Sequence, residues 1–185
     1  MYETKLINIY SNLSLDEKRK LRKWVSSDFV NKNEDISRFF EFIDSRKNIT
    51  PRAVTKEKAH EFLYPNKPYH DLRIRHLIWM TTEILESFIV NIKIDDEFSM
   101  REQLLAKFYM QKDLFKHAQK SIETGIEWIE KNDIKNAEHY RTTFHLHSLY
   151  YDIQSRNIRT DDFNIDEIVN SFTIFTILET LKTSS

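Results

Sequence analysis

Residues 77–92, LIWMTTEILESFIVNI, decide the fold class of this sequence. Apolar side chains recur there at spacings of three and four, which is the period of one face of an α-helix. Trp79 and Met80 lie off this stripe. Because such a helix is typically buried on two sides, we expect it to begin near Asp71 and to be central to an all-α fold. The stripe consists of Leu77, Ile78, Ile84, Leu85, Phe88, Ile89 and Ile92.

The composition of the whole chain also favours helices. Its 185 residues include one glycine, three prolines and no cysteine. So few glycines disfavour tight hairpin turns and Gly-rich phosphate loops. The lack of cysteine excludes disulfides, thiolate zinc sites and cysteine nucleophiles, and it fits a cytoplasmic protein. With 28 basic and 29 acidic side chains, the net charge of -1 creates no global attraction to nucleic acid or to an anionic membrane.

We expect neither a signal peptide nor a membrane-spanning segment. The first residues, MYETKLINIYSNL, include Glu3 and lack the continuous apolar core of a secretory signal. No apolar run reaches the roughly 20 residues that a membrane-spanning helix needs. We therefore predict a soluble, cytoplasmic protein with no membrane partner.

Local signals predict an N-terminal helical bundle over residues 1–95. Ser14 and Glu17 fit a capping box, in which each side chain accepts a hydrogen bond from the backbone N–H of the other residue. Thr50 followed by Pro51 is typical of a helix start, because proline suits the first helical position. We expect helices at about 3–12, 14–26, 34–47 and 56–64, and a long one from 71 onward.

Antiparallel helical hairpins are predicted for residues 96–185, either as a second region packed on the bundle or as part of one continuous domain. Two of the helix starts are about 36 residues apart, near the period of tetratricopeptide-like helix pairs. The landmark residues of that repeat are absent, so we predict only solenoid-like stacking. Ala118 and Gly125 would let a neighbouring helix approach closely. The helices are expected at about 98–111, 113–131, 134–155 and 164–183, with a polar connection at 157–162.

The segment SSDFVNKNED, residues 26–35, could be a binding loop or a corner between two helices. Its serines and Asp28 can end one helix, and Asn31 or Asn33 can cap the next. These signals favour a corner. We expect Phe29 to be buried and to attach this corner to the core.

Histidine spacing predicts no shared metal site. His145 and His147 point to opposite sides of a helix, because two residues span about 200° there. Glu57 and His60 share one helix face, but a di-iron bundle needs a second such motif and two further glutamates. We interpret His147 as a core histidine, and Glu57 with His60 as a surface pair. Only a convergence of His60, His139, His145 or His147 with other ionisable groups would favour a helical enzyme.

No catalytic motif accompanies these histidines. The sequence has no His-Glu-x-x-His, no phosphate loop and no Gly-x-Ser-x-Gly context. Asp113 and His117 have the spacing of an exposed pair on one helix. We therefore expect no enzyme, and no catalytic, cofactor-binding or metal site.

The run EKRKLRK, residues 17–23, is the candidate for contact with nucleic acid. Its five cations could reach phosphates. On a helix, however, they cover the solvated face opposite Leu21 and Trp24, and the chain has no basic surplus to reinforce them. A nucleic-acid-associated regulator is therefore the alternative function. Its contact residues would be Lys18, Arg19, Lys20, Arg22 and Lys23.

Two stretches carry a resemblance to a known family. They are LSLDEKRKLRKWVSSDFVNKNEDISRFFEFI, residues 13–43, and FLYPNKPYHDLRIRHLIWMTTEILESFIV, residues 62–90. Together they resemble an uncharacterised family of helical proteins of Bacteroidota, over roughly the first 95 residues. The resemblance implies a helical architecture and no catalytic residue. It also implies that longer relatives continue into further helix pairs.

The last predicted helix is apolar enough to need a partner. We expect it to contact a protein partner or a second copy of the chain through Phe175, Leu178 and Leu181. Phe42 and one of the paired tyrosines, Tyr150 and Tyr151, fall off their apolar stripes, and we expect them to be exposed in a binding groove. The sequence thus favours a non-catalytic helical interaction or scaffold module.

Overall fold

The computed structural model describes residues 1–46, 48–132, 134–157 and 163–184, without the side chains of Asn132 and Asn157. The polar connection predicted at 157–162 and the predicted end of a helix at Lys47 lie largely outside these residues. Within them the chain forms nine α-helices and no strand, which confirms the all-α prediction. The helices are α1 (Lys5–Asn12), α2 (Leu15–Val25), α3 (Glu34–Asp44), α4 (Lys56–Leu63), α5 (Asp71–Asp96), α6 (Phe98–Gln111), α7 (Phe115–Asn132), α8 (Ala137–Asn157) and α9 (Ile165–Thr183).

The chain divides into two compact units, Met1–Ile92 and Lys93–Ser185. We call them the N-terminal unit and the C-terminal unit. No helix among the described residues is long and apolar enough to cross a membrane.

Helix starts in the N-terminal unit are set by local capping groups. The Ser14 N–H donates to the Glu17 carboxylate at 2.7 Å and the Glu17 N–H donates to the Ser14 hydroxyl at 3.2 Å, so the predicted capping box is present. Thr50 accepts from the Ala53 N–H at 3.2 Å, but α4 begins only at Lys56 and is capped by Thr55. The helix start predicted at Thr50 was therefore wrong, because the turn after it does not continue.

Large apolar side chains from α1 to α5 form one core in this unit. Phe39 and Phe42 of α3 are both fully buried. The expectation that Phe42 is exposed was wrong, because its ring lies 5.6 Å from that of Phe62 on α4. A second neighbouring helix therefore covers the side of α3 that the single stripe of Phe39, Phe40 and Ile43 would leave in water.

The long helix α5 is buried along one side. Ile74, Leu77, Leu85 and Phe88 are in the core, while Trp79 is 57% exposed. The prediction of burial on two sides was wrong at Trp79, whose ring stacks on that of His76 in the same helix, with 5.6 Å between the ring centres, and stays largely in solvent. The periodicity nevertheless located the buried stripe of the helix correctly.

The corner between α2 and α3 is held by a polar side chain. Phe29 is 96% exposed, so its predicted role as a buried anchor was wrong. Asn31 is buried instead, and its amide donates to the Val25 carbonyl at 3.2 Å and to the Ser37 hydroxyl at 2.9 Å. Its carbonyl oxygen accepts from the Asn33 N–H at 2.9 Å. These hydrogen bonds fix the corner without burying an aromatic ring.

Successive helices of the C-terminal unit pack as hairpins, α6 on α7, α7 on α8 and α8 on α9. Gly125 of α7 lies at a close approach of the helices, since a Cβ there would lie 3.2 Å from Cδ2 of Leu146 and 3.5 Å from Cβ of Glu102. Ala118, on the same helix, is fully buried. The predicted role of these small residues in helix packing is confirmed. A tetratricopeptide-like repeat remains a prediction.

Candidate interaction surface

Helix α9 contacts α8 through Asn164, just before its first residue, and through Phe172 further along the helix. The Asn164 side-chain amide donates to the His147 carbonyl at 2.9 Å and lies 3.1 Å from His147 Nδ1. Phe172 lies at the edge of this contact, since its ring centre is 5.2 Å from that of Phe144 while half of the side chain is exposed. Ser171 is buried and donates to the Glu167 carbonyl. One side of α9 is thereby fixed against α8, which leaves its other side to solvent.

The solvent side of α9 is unusually apolar. Val169 is 58% exposed, Phe172 50%, Ile177 53% and Leu181 64%. Residues 168–178 include no charged side chain, so three turns of the helix meet water without a charge. An exposed apolar patch of this kind is typical of an interaction site. We call this surface the α9 outer face, and it consists of Ile165, Asp166, Val169, Asn170, Phe172, Thr173, Thr176, Ile177, Thr180 and Leu181, with its one acidic residue at the N-terminal end.

Threonines on the α9 outer face do not make it more polar. The Thr173 hydroxyl donates to the Val169 carbonyl at 2.7 Å, and the Thr176 hydroxyl to the Phe172 carbonyl at 2.8 Å. Thr180 donates to the Thr176 carbonyl at 2.7 Å. Each hydroxyl keeps its hydrogen bond within its own helix. Burial of these threonines in an interface would therefore leave no unsatisfied hydroxyl donor.

Of the three partner-contact residues predicted on this helix, Leu181 lies on the α9 outer face. Phe175 and Leu178 are half-buried. The sequence pattern did not single out Val169 and Phe172, which are also exposed on α9. The lack of charge over residues 168–178 indicates an apolar surface on this helix. It does not indicate which side of α9 is covered by α8.

The five cations predicted to contact nucleic acid all lie on α2, and three of them have partners within the N-terminal unit. Arg22 Nε lies 2.5 Å from the Asp44 carboxylate, and the Lys20 amine lies 3.3 Å from Asp16. The Lys18 amine lies 4.9 Å from the centre of the Tyr10 ring. Arg19 and Lys23 are exposed. The alternative function remains a prediction, with part of this charge already engaged inside the protein.

Histidines do not form a metal site among the described residues, where no group of three or more metal-ligating side chains of the His, Cys, Asp or Glu type occurs. Burial lowers the pKa of His147. Burial also lowers the pKa of His145, and the neighbouring Arg141 and Lys107 act in the same direction. Both rings therefore favour the neutral form.

His60 departs from the interpretation as half of a surface pair with Glu57. It is buried, and its ring centre lies 5.3 Å from that of Tyr64 and 5.4 Å from that of Tyr69. Glu57 is exposed. Glu57 and His60 therefore do not form a surface pair. Aromatic rings from the end of α4 and the segment after it cover His60, whereas Glu57 stays in solvent. Asp113 is likewise not on a helix with His117, since it has a φ of 56° in the turn before α7.

Comparison with protein-family models, curated proteins and solved structures gave no match to this chain.

Proposed function

We propose that this chain is a non-catalytic helical interaction module that associates with a second copy of itself through the α9 outer face. The observation that carries the proposal is the exposed, uncharged surface around Val169, Phe172 and Ile177. Hiding such apolar side chains from water is the main favourable term in protein association.

The charge distribution supports a second copy as the occupant. In a two-fold symmetric interface each residue meets the same surface on the other chain, so charged residues near its centre would face like charges. The α9 outer face has no charge over residues 168–178 and avoids that repulsion. An antiparallel pair of α9 helices would also place the positive end of each helix dipole beside the negative end of the other.

Analytical ultracentrifugation over protein concentrations from about 1 to 200 µM tests the proposal, because this range covers dissociation constants around the micromolar. We expect a monomer–dimer equilibrium. Val169→Lys and Ile177→Lys should each raise the dimer dissociation constant by about tenfold or more, since each would bury an unpaired ammonium group. Gln111→Lys is the matched control, because it adds the same charge at an exposed position on α6 and should leave the constant within about twofold.

Two results would contradict self-association through this face. One is a monomer at every concentration. The other is a dimer whose dissociation constant responds equally to Ile177→Lys and to Gln111→Lys, which would place the interface elsewhere or reduce it to a nonspecific effect of charge. Circular dichroism of each variant separates these outcomes from loss of the fold.

A further inference from the structure

A cavity in the N-terminal unit is lined by residues that do not belong to the α9 outer face. It has a volume of about 510 Å³ and opens between α1, α2 and the end of α3. Pockets for small molecules usually enclose roughly 300–1,000 Å³. The polar part of its wall includes Tyr10, Lys18, Arg22, Asp44 and Arg46, together with Ser11 and Asn48.

Positive charge dominates this cavity. Among the described residues three cations, Lys18, Arg22 and Arg46, line the cavity together with one carboxylate, Asp44, so their formal charges sum to +2. Both oxygens of Asp44 are already engaged, one by the Tyr10 hydroxyl at 2.6 Å and the other by Arg22 Nε at 2.5 Å. These two donors satisfy the Asp44 carboxylate, so it attracts the other cations of the wall only weakly. It also orients Tyr10 and Arg22.

The cations are held in place before any ligand arrives. Asp44 fixes Arg22 through Nε, which leaves the terminal N–H groups of the guanidinium to bind an anion. The Lys18 amine lies 4.9 Å from the centre of the Tyr10 ring, and the Arg46 guanidinium lies 4.6 Å from that of Phe42. Side chains ordered in this way lose less conformational entropy on binding. Burial and the hydrogen bond to Asp44 raise the pKa of Tyr10, so its hydroxyl remains a donor.

Apolar groups complete the wall. Leu15 is 77% exposed although it begins α2, and Ile49 and Tyr2 lie beside the same cavity. A ligand with an anionic end and an organic body would contact both kinds of surface. We infer that the N-terminal unit binds a small organic phosphate here, with Lys18, Arg22 and Arg46 on the phosphate and the apolar residues on the organic part.

The size of the cavity favours a small ligand over a polymer. Arg19 and Lys23 do not line it, although they belong to the same basic run. A nucleic acid that bound the basic run as a whole would use these outer cations as well. A small organic phosphate and a nucleic acid can therefore be distinguished by whether their binding depends on Arg46 or on Arg19.

The test is two-dimensional ¹H–¹⁵N NMR titration at low salt with inorganic pyrophosphate, adenosine monophosphate and adenosine. We expect the two phosphates to shift the amide signals of residues around the cavity with dissociation constants of about 1 mM or below, and adenosine to cause no shift. Arg46→Gln should weaken binding by about tenfold and Arg46→Lys by less, because lysine keeps the charge without the guanidinium fork. Arg46 is exposed, so these variants should keep the fold.

Arg19→Gln is the matched control, since it removes one exposed cation of α2 outside the cavity and should change the dissociation constant by no more than about twofold. The proposal is wrong if neither phosphate binds at about 10 mM, or if Arg19→Gln weakens binding as much as Arg46→Gln does. Binding of a single-stranded RNA oligonucleotide that depends on Arg19 and Lys23, without binding of pyrophosphate, would also overturn it. None of these outcomes depends on whether α9 forms a dimer.

Discussion

The two units are almost equal in length but bury their apolar side chains very differently. Eighteen buried apolar residues form the core described for the N-terminal unit, whereas seven form that of the C-terminal unit. The larger core includes Phe39, Phe42 and Phe88, while the smaller one includes Ala106 and Ala118. Side chains from several helices meet in one large core in the first unit, whereas fewer side chains are buried where the helices of the second unit pack in pairs.

This difference shows how helix order controls exposure. In the C-terminal unit each helix packs chiefly on its neighbours in sequence, and α9 packs chiefly on α8. A helix with one main neighbour buries one side, and apolar residues on the other side remain in water. In the N-terminal unit α3 contacts several elements, and even Phe42 is covered. The unequal cores therefore explain why the candidate interaction surface lies on α9.

The largest expected effect comes from emptying the N-terminal core. Phe39→Ala should lower the free energy of unfolding by about 4 kcal/mol, because it leaves a cavity at a fully buried position. Phe172→Ala, at a half-exposed position on α9, should cost less than about 2 kcal/mol. Urea denaturation of both variants measures the difference. Equal losses would contradict the contrast between the units.

Overpacking the close contact in the C-terminal unit should have the next largest effect. Gly125→Val should cost about 2 kcal/mol, because even a Cβ would lie 3.2 Å from Leu146 and valine adds two further methyl groups. Lys120→Val is the control at an exposed position of α7 and should cost about 0.5 kcal/mol from helix propensity. Peptide-resolved hydrogen exchange should locate the loss in the C-terminal unit. A loss that was the same for both variants would mean that the helices can separate at little cost.

The corner between α2 and α3 should depend on its polar side chain. Asn31→Ala should cost about 1.5 kcal/mol, since it removes the amide that satisfies the Val25 carbonyl and the Ser37 hydroxyl. Phe29→Ala should change stability by less than about 0.5 kcal/mol, because the ring is almost fully exposed. Thermal unfolding compares the two. A larger loss from Phe29→Ala would mean that the ring is covered in solution.

The smallest expected effect is the change of stability with pH, which should differ between the two units. The pKa of His147 is lowered from its ordinary value of 6.5 mainly by burial, so the unfolded chain binds a proton more readily. The C-terminal unit should therefore lose stability as pH falls from about 7.5 to 5.5. The pKa of Asp71 in the N-terminal unit is lowered by hydrogen bonds from Lys56 and Tyr69. Its contribution is retained above its ordinary value of 3.8 and is lost only as pH falls through the still lower folded-state pKa.

Hydrogen-exchange protection factors for each unit at pH 7.5 and 5.5 measure this effect. Protection should fall in the C-terminal unit, and His147→Gln should reduce the fall. Because burial lowers the pKa of His145 as well, a fall that His147→Gln does not reduce would contradict the assignment to His147, as would unchanged protection there or a larger fall in the N-terminal unit.

Helix positions were predictable because their signals are local. The capping box at Ser14 and Glu17 and the apolar stripe of α5 involve residues three or four apart, so their geometry follows from the helix itself. Thr50 shows the limit of such local signals, because its capping hydrogen bond begins a turn that does not continue into a helix. The candidate surface on α9 was predictable as an apolar helix, but its exposed side was not.

By itself, the sequence determined the all-α class, most helix positions and the close approach at Gly125, because periodicity, capping and side-chain size act within a few residues. Only the tertiary structure decided that Phe42 and His60 are buried and that Phe29 and Val169 are exposed. Burial depends on which distant segment covers a residue, and neighbours in sequence do not specify that segment. For the same reason, the juxtaposition of Tyr10, Arg22 and Asp44 in one cavity required the folded N-terminal unit.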